Sequence, residues 1–362
     1  MTKSLLFLSL FLLIRACSSE NVGEEEQLEG MFLFGDSLFD NGNNGYKKMT
    51  AKASYLPYGI DFPTGTTGRF NNGKTIADWL GEFLKLPGYM PAFVSPKTEG
   101  EAVLRGVNYA SAGSGVLDGT GEMEGMTSTS LDEQIKNFQT VTLPVFNQKF
   151  GDDLPSKLTK YLFVIGTGGF DYLINYLYNH EGITLEDFTE GILSTYAERI
   201  KELYNLGGRK FVLFSTQPLG CVPVVRSSPL GQGSCVDVFD QAAKMFAHRL
   251  QSLVDHIKSQ LPGANLVFVN VYNIMGKIID DPARQGFEET TTPCCDVPSN
   301  GRGGFGMLCV RNGAACEDRS RYVFWDGMHP TQAVAHIIAK RAYQSESRDE
   351  VYPMNVKTLV TL

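Results

Sequence analysis

Basic blocks are missing from this sequence. Lys and Arg total 32 against 40 Asp and Glu, for a formal net charge of -8, and no Lys/Arg-rich stretch offsets it. A nucleic-acid backbone is therefore excluded as a partner. The chain also lacks a G-x-S-x-G nucleophile elbow, an H-E-x-x-H zinc signature and a Walker A loop, which sets aside the chemistries those motifs carry. Gly301 to Gly306 spell G-x-G-x-x-G, but they follow a cysteine-rich stretch instead of a strand and read as flexible backbone. No Asn-x-Ser/Thr sequon occurs, so glycosylation lends no support to export. No apolar run is long enough to span a bilayer.

The beginning of the chain has the three parts of a secretory signal peptide. Lys3 precedes the apolar run Leu5 to Ile14, and Ala16, Cys17, Ser18 and Ser19 follow it. Cleavage is expected near Ser18 or Ser19, so residues 1–19 are the leader and 20–362 the mature chain, secreted to the extracellular space. Glu24 to Glu26 then reads as a solvated tail. Removal of Cys17 leaves Cys221, Cys235, Cys294, Cys295, Cys309 and Cys316. An even number in an exported chain favours disulfides, with the connectivity left open. Zinc is the alternative, disfavoured because Cys294 and Cys295 are adjacent and no C-x-x-C pair exists.

Five short apolar runs read as strands: Met31 to Phe34, Val103 to Tyr109, Tyr161 to Ile165, Phe211 to Phe214 and Leu266 to Val271. Between them lie helical patterns at 74–86, 131–150 (interrupted around Pro144), 185–206 and 236–260, with further helices at 272–279 and 331–343. Alternating strands and helices imply one α/β domain, a three-layer α/β/α stack around a five-stranded parallel sheet. Tyr352 to Leu362 is a tail that can pack against the body. Loops at the carboxyl ends of such strands gather along one edge, where ligands bind.

Two of those loops carry residues able to do chemistry. Ser37 stands just after the first strand, past Gly35 and Asp36, and ahead of Asp40, Asn41, Gly42, Asn43 and Asn44, a polar turn-rich segment with no apolar face to bury. Taken alone it is an ordinary turn. Near the other end, Asp326-Gly-Met-His329-Pro330 precedes the last helix, with Pro330 suited to the first helical position. Spaced by three, the carboxylate can hold the imidazole tautomer while the imidazole takes a proton from a serine hydroxyl. The small-residue turn at Ser111 to Gly115 and the glycine turn at Gly166 to Gly169 can offer N–H groups to a developing oxyanion, each worth about 3 kcal/mol. His180, His248, His256 and His336 read as structural or surface residues.

Five blocks, in order, resemble those of the GDSL esterase/lipase family of SGNH hydrolases, its secreted plant branch most of all. They are Phe34-Gly-Asp-Ser-Leu38, Gly106-Val-Asn-Tyr-Ala-Ser-Ala-Gly113, Gly166-Thr-Gly168, Pro218-Leu-Gly-Cys221-Val-Pro223 and Asp326-Gly-Met-His329-Pro-Thr331. Gly68-Arg-Phe-Asn-Asn-Gly73 and Tyr352-Pro-Met-Asn355 are similar to that branch as well. The resemblance implies a flavodoxin-like sheet, no metal or organic cofactor, and hydrolysis of a small-molecule or lipid ester through an acyl-enzyme. It implies Ser37 as nucleophile, His329 as general base and acid, Asp326 as its partner, and oxyanion donors from the Ser37 backbone, from Gly113 and from an Asn of the third block. Here the chain departs from the pattern. The family usually has Gly-x-Asn-Asp, whereas this sequence reads Gly166-Thr-Gly-Gly-Phe-Asp171, which puts Gly168 or Phe170 in place of the Asn. A backbone N–H of Gly168 or Gly169 is expected to replace the amide in part. The rival reading is a catalytically weakened or inactive binding protein on the same fold. The oligomeric state is left open.

Overall fold

The computed structural model describes residues 28–48, 51–122, 127–177, 182–299 and 306–362. The expected leader with Cys17, the acid run Glu24 to Glu26, His180 and most of the G-x-G-x-x-G stretch lie outside them. The central sheet has the order β2-β1-β3-β4-β5-β6, built from β1 (Gly30–Gly35), β2 (Gly106–Asn108), β3 (Tyr161–Gly166), β4 (Lys210–Phe214), β5 (Asn265–Val269) and β6 (Val351–Tyr352). The first five are parallel and β6 runs antiparallel to β5. The expected five-stranded parallel sheet is thus present with a sixth, two-residue strand added by the tail. Behind β6, Val356 and Leu359 are buried.

Central strands are apolar throughout because helices cover both faces. Phe32 and Phe34 of β1 meet Phe138 on one side, at centroid separations of 4.8 and 6.2 Å. Met31 points to the other side, against Gly81 of helix α1 (Ile76–Phe83). Phe163 and Phe211 stand beside Phe32 in register and extend the aromatic layer across the sheet. On the Phe138 side lie α2 (Leu131–Asn137) and α3 (Leu143–Phe150), then α4 (Leu185–Asn205) and α5 (Asp237–Gln260). On the other side α1 packs on α7 (Gln332–Gln344), and α7 on α6 (Val271–Asp280).

Several boundaries differ from the sequence expectation, each for a local reason. The run from Val103 is extended only over β2, because Gly100–Arg105 forms a 3-10 turn that delivers the chain to the sheet. The interruption near Pro144 is a wide turn over Phe138–Thr142. Proline offers no N–H to the carbonyl four residues back, and widening the helix avoids the clash there. Pro330 is not the first residue of α7. It bridges to Phe324, and the Thr331 side chain caps the helix by accepting from the Val334 N–H.

The glycine-rich loop at Gly68–Gly73 is fixed to α1 by a buried bidentate ion pair. Arg69 Nε and Nη2 donate to Asp78 Oδ2 and Oδ1 at 2.6 and 2.8 Å. Breaking such a pair leaves an uncompensated buried charge at a cost of about 3–5 kcal/mol. Asp78→Ala is accordingly expected to lower the unfolding free energy by that amount, read from a lower denaturant midpoint at constant m-value, and a loss below about 1 kcal/mol would contradict the assignment.

Candidate active site

At the carboxyl edge of the sheet, Gly35 and Gly166 lie side by side in register and Phe214 pairs with Gly166. The loops that leave these strands therefore start from one line. Gly35 closes the approach: a Cβ there would lie 2.1 Å from the Gly166 carbonyl, and φ is +147°. Directly after it, the Asp36 N–H donates to Gly166 O, while Phe39 and Asp40 N–H turn back to Asp36 O. Ser37 is held on this turn, 7% exposed.

The Asp40–Asn44 segment proves to be buried, contrary to its reading as a polar turn with nothing to bury. Its polar groups are spent on the loop after β2. Asp40 accepts from the N–H groups of Gly42, Asn43 and Ala112 at 2.8, 2.7 and 3.1 Å. Asn43 Nδ2 donates to the carbonyls of Asn108 and Ala110, and Asn44 Nδ2 to that of Ala112. Gln134, which no sequence motif singles out, accepts from Gly35 N–H at 2.8 Å and donates to Gly35 O at 2.9 Å. Asp171 supports the far end of the same loop, accepting from Val116 N–H, Leu117 N–H and the Thr120 hydroxyl at 2.8, 2.9 and 2.8 Å. Burial pushes its carboxyl up to about 6 against those donors.

His329 arrives from the opposite end of the chain. Trp325 N–H bonds to His329 O and Thr331 N–H to Val323 O, so residues 323–331 fold into a tight return. Inside it Asp326 Oδ1 accepts from the backbone N–H groups of Met328 and His329 at 2.8 and 2.7 Å. His329 Nδ1 lies 2.8 Å from Asp326 Oδ2, and His329 Nε2 lies 2.8 Å from Ser37 Oγ. Asp326 is fully buried and His329 nearly so. Phe70, from the Gly68–Gly73 loop, covers the imidazole at 5.2 Å between ring centroids. The three residues separated in sequence thus form one hydrogen-bonded line. Of the other histidines, His248 and His256 are exposed, and His336 lies half-buried, edge-on to Trp79.

Three cavities border Ser37, and two of them reach the Gly113 and Gly169 loops. One, of about 80 Å³, is lined by Gly113, Phe70, Ile174, Met307, Leu308 and His329 among others. The second, of about 20 Å³, is lined by Asp36, Gly169, Phe170, Gln217 and Met328 together with Ser37 and His329. Gly113, at φ +86°, and Gly169 both border the space in front of the serine. Gly168 borders neither cavity: at φ +125° its Cβ position faces the Phe246 ring at 2.6 Å. Phe170 borders both.

All six cysteines among the described residues are paired, as Cys221–Cys235, Cys294–Cys316 and Cys295–Cys309. No helix among the described residues is long and apolar enough to cross a membrane.

The model of the GDSL-like lipase/acylhydrolase family matches residues 31–342. The chain belongs to that family. It is 39% identical to the GDSL esterase/lipase At1g29670 of Arabidopsis thaliana, over 93% of this chain and 93% of the relative. Identity to GDSL esterase/lipase 7 of the same plant is also 39%, over 91% and 92% of the two chains. For GDSL esterase/lipase At1g71250 it is 37% over 99% and 96%. The family's chemistry, ester hydrolysis, is the activity of this chain.

Asp36, next to Ser37, has an electrostatic consequence. Burial pushes its carboxyl from 3.8 up to about 7, opposed by the Leu38 N–H and by positive charge on His329. A carboxyl whose folded value is raised binds its proton more readily folded than unfolded. Its stabilisation is complete below its ordinary value and is lost as pH rises through about 7. Tm should therefore decline between pH 5 and pH 8 more steeply in the wild type than in Asp36→Asn, measured by calorimetry in matched buffers. Equal slopes would contradict it.

Proposed function

We propose that the protein is a secreted carboxylic-ester hydrolase acting on acyl esters or lipids, with one hydrolase domain over residues 20–362 behind a leader at 1–19, and that Ser37, His329 and Asp326 carry the reaction. The observation that carries this reading is the continuous line Ser37 Oγ–His329 Nε2, His329 Nδ1–Asp326 Oδ2, at 2.8 Å in each link. Three paired disulfides accord with an oxidising compartment.

In this mechanism Ser37 Oγ attacks the ester carbonyl and its proton passes to His329 Nε2. The imidazolium keeps its Nδ1 proton and donates it to the Asp326 carboxylate in a hydrogen bond, and the negative charge there stabilises it. The tetrahedral oxyanion takes N–H bonds from Ser37 and Gly113, and from Gly169 in place of the family Asn, with Gly168 the less suited of the two glycines because of its packing on Phe246. The C–O bond to the alcohol then breaks, the alcohol leaves with the His329 proton, and an acyl-Ser37 ester remains. Water deprotonated by His329 attacks that ester, and collapse returns the proton to Ser37 as the acid leaves. The apolar cavity beside Gly113 suits the acyl group, with Phe70, Ile174 and Leu308 in its wall. The intact relay speaks against the binding-protein alternative, since a binder has no use for a serine hydrogen-bonded to a buried His–Asp pair.

Fluorophosphonate labelling of folded protein, lost in Ser37→Ala, is the expected result. No labelling of the wild type would favour the binder. Side by side, a short-chain and long-chain acyl ester panel reads the acyl preference. Phe170→Asn, which returns an amide to the wall beside Ser37, is expected to raise kcat by about tenfold, since one donor of this kind is typically worth about 100-fold or more when ideally placed. An unchanged or lower kcat would show that the backbone donors already suffice.

A further inference from the structure

One buried side chain touches the relay and has no part in the steps above. The Tyr58 hydroxyl donates to Asp326 Oδ2 at 2.6 Å, the oxygen that His329 Nδ1 also meets at 2.8 Å. In turn it accepts from the backbone N–H of Cys309 at 3.0 Å. Cys309 is bonded to Cys295, and the Cys295 N–H donates to the carbonyl of Trp325, the neighbour of Asp326. These contacts close a ring: Asp326, Tyr58, Cys309, Cys295, Trp325 and back to Asp326. Tyr58 and Asp326 are fully buried, and the two cysteines 3% exposed each. Tyr55 stands outside the ring, its hydroxyl donating to Cys309 O at 2.8 Å.

We propose that Tyr58 is a positioning residue for ester hydrolysis, through which the Cys295–Cys309 loop fixes the plane of the Asp326 carboxylate and hence the aim of His329. The proposal rests on the reading of Ser37, His329 and Asp326 as the reacting relay. Backbone N–H groups hold Oδ1, but among the described residues Oδ2 meets only His329 and Tyr58. The carboxylate torsion is soft. With the phenol absent, Oδ2 follows the imidazole instead of fixing it, and an error of about 1 Å in placing a reacting group can cost about 100-fold. Burial, and after it the negative charge of Asp326, push the phenol well above its usual value, so it remains a donor.

Tyr58→Phe keeps the ring and removes only this link. The expected result is a fall in kcat of about 10- to 100-fold, bounded by the cost of misplacing a reacting group, with KM within about twofold. The downfield proton resonance of His329 Nδ1–H should shift. Tyr55→Phe removes a bond to the same Cys309 without touching Asp326 and should move neither kcat nor the resonance. The Cys295→Ser/Cys309→Ser double variant should lower kcat in the wild-type background and add little to Tyr58→Phe. Full kcat in Tyr58→Phe, an unmoved resonance, an equal loss in Tyr55→Phe, or an additive loss from the cysteine pair would each overturn the proposal. If the cysteine variant does not fold, the two tyrosine variants decide alone. Turnover surviving in Ser37→Ala would instead overturn the relay itself, whatever Tyr58→Phe does.

Discussion

A carboxylate with no access to solvent is the constraint around which this molecule is assembled. Asp326 gathers the N–H groups of Met328 and His329 on one oxygen, and the imidazole and the Tyr58 phenol on the other. A buried anion is tolerated only when its lone pairs are met in this way. Each donor comes from a segment that must itself be held. The return at residues 323–331 is tied to β-like contacts with Cys294 and Cys295, and Tyr58 is tied to Cys309. The two disulfides nearest the site therefore staple a stretch whose described residues form no helix or sheet strand.

On the serine side the constraint is different in kind. The sheet supplies the position, because Gly35 and Gly166 are in register and a Cβ on Gly35 would meet the Gly166 carbonyl. Buried polar residues then fix the loops above it. Asp40, Asn43 and Asn44 hold the Asn108–Ala112 stretch, and Asp171 holds Val116 and Leu117. Gly113 lies between these two sets of anchors. In the proposed mechanism, where Gly113 donates to the oxyanion, such fixing removes the need for reorganisation during the reaction.

What could be read from the sequence follows from this division. Met31 to Phe34, Tyr161 to Ile165 and Phe211 to Phe214 announce themselves because strands covered on both faces need apolar residues at every position. Ser37 and the Asp326–His329 spacing are visible as motifs, and their meeting follows from the edge to which the strands lead. Tyr58 has no such sign: its partner is 268 positions away, and a tyrosine between Pro57 and Gly59 looks like any turn residue. Gln134 is equally hidden, 99 positions from the glycine it clamps. The polar run Asp40–Asn44 misleads because its composition is that of a surface turn, whereas its partners are backbone groups that no pattern of side chains reveals. The β6 edge fails to show for the opposite reason, being too short to generate a period, and β2 shows only inside the longer run Val103 to Tyr109.

The altered third block gains a physical meaning from the same geometry. The helix-like turn that begins at Gly169 brings one candidate backbone donor beside the serine, and Phe170 lines the wall there instead of an amide. A phenyl ring cannot donate, but it removes water from beside the oxyanion and strengthens whatever backbone N–H bonds remain. Loss of one donor and drying of the site act in opposite directions on the same charge. On this reading the chain remains an esterase because the relay and the Gly113 loop are intact, and its rate is set by how far a drier wall offsets a missing amide.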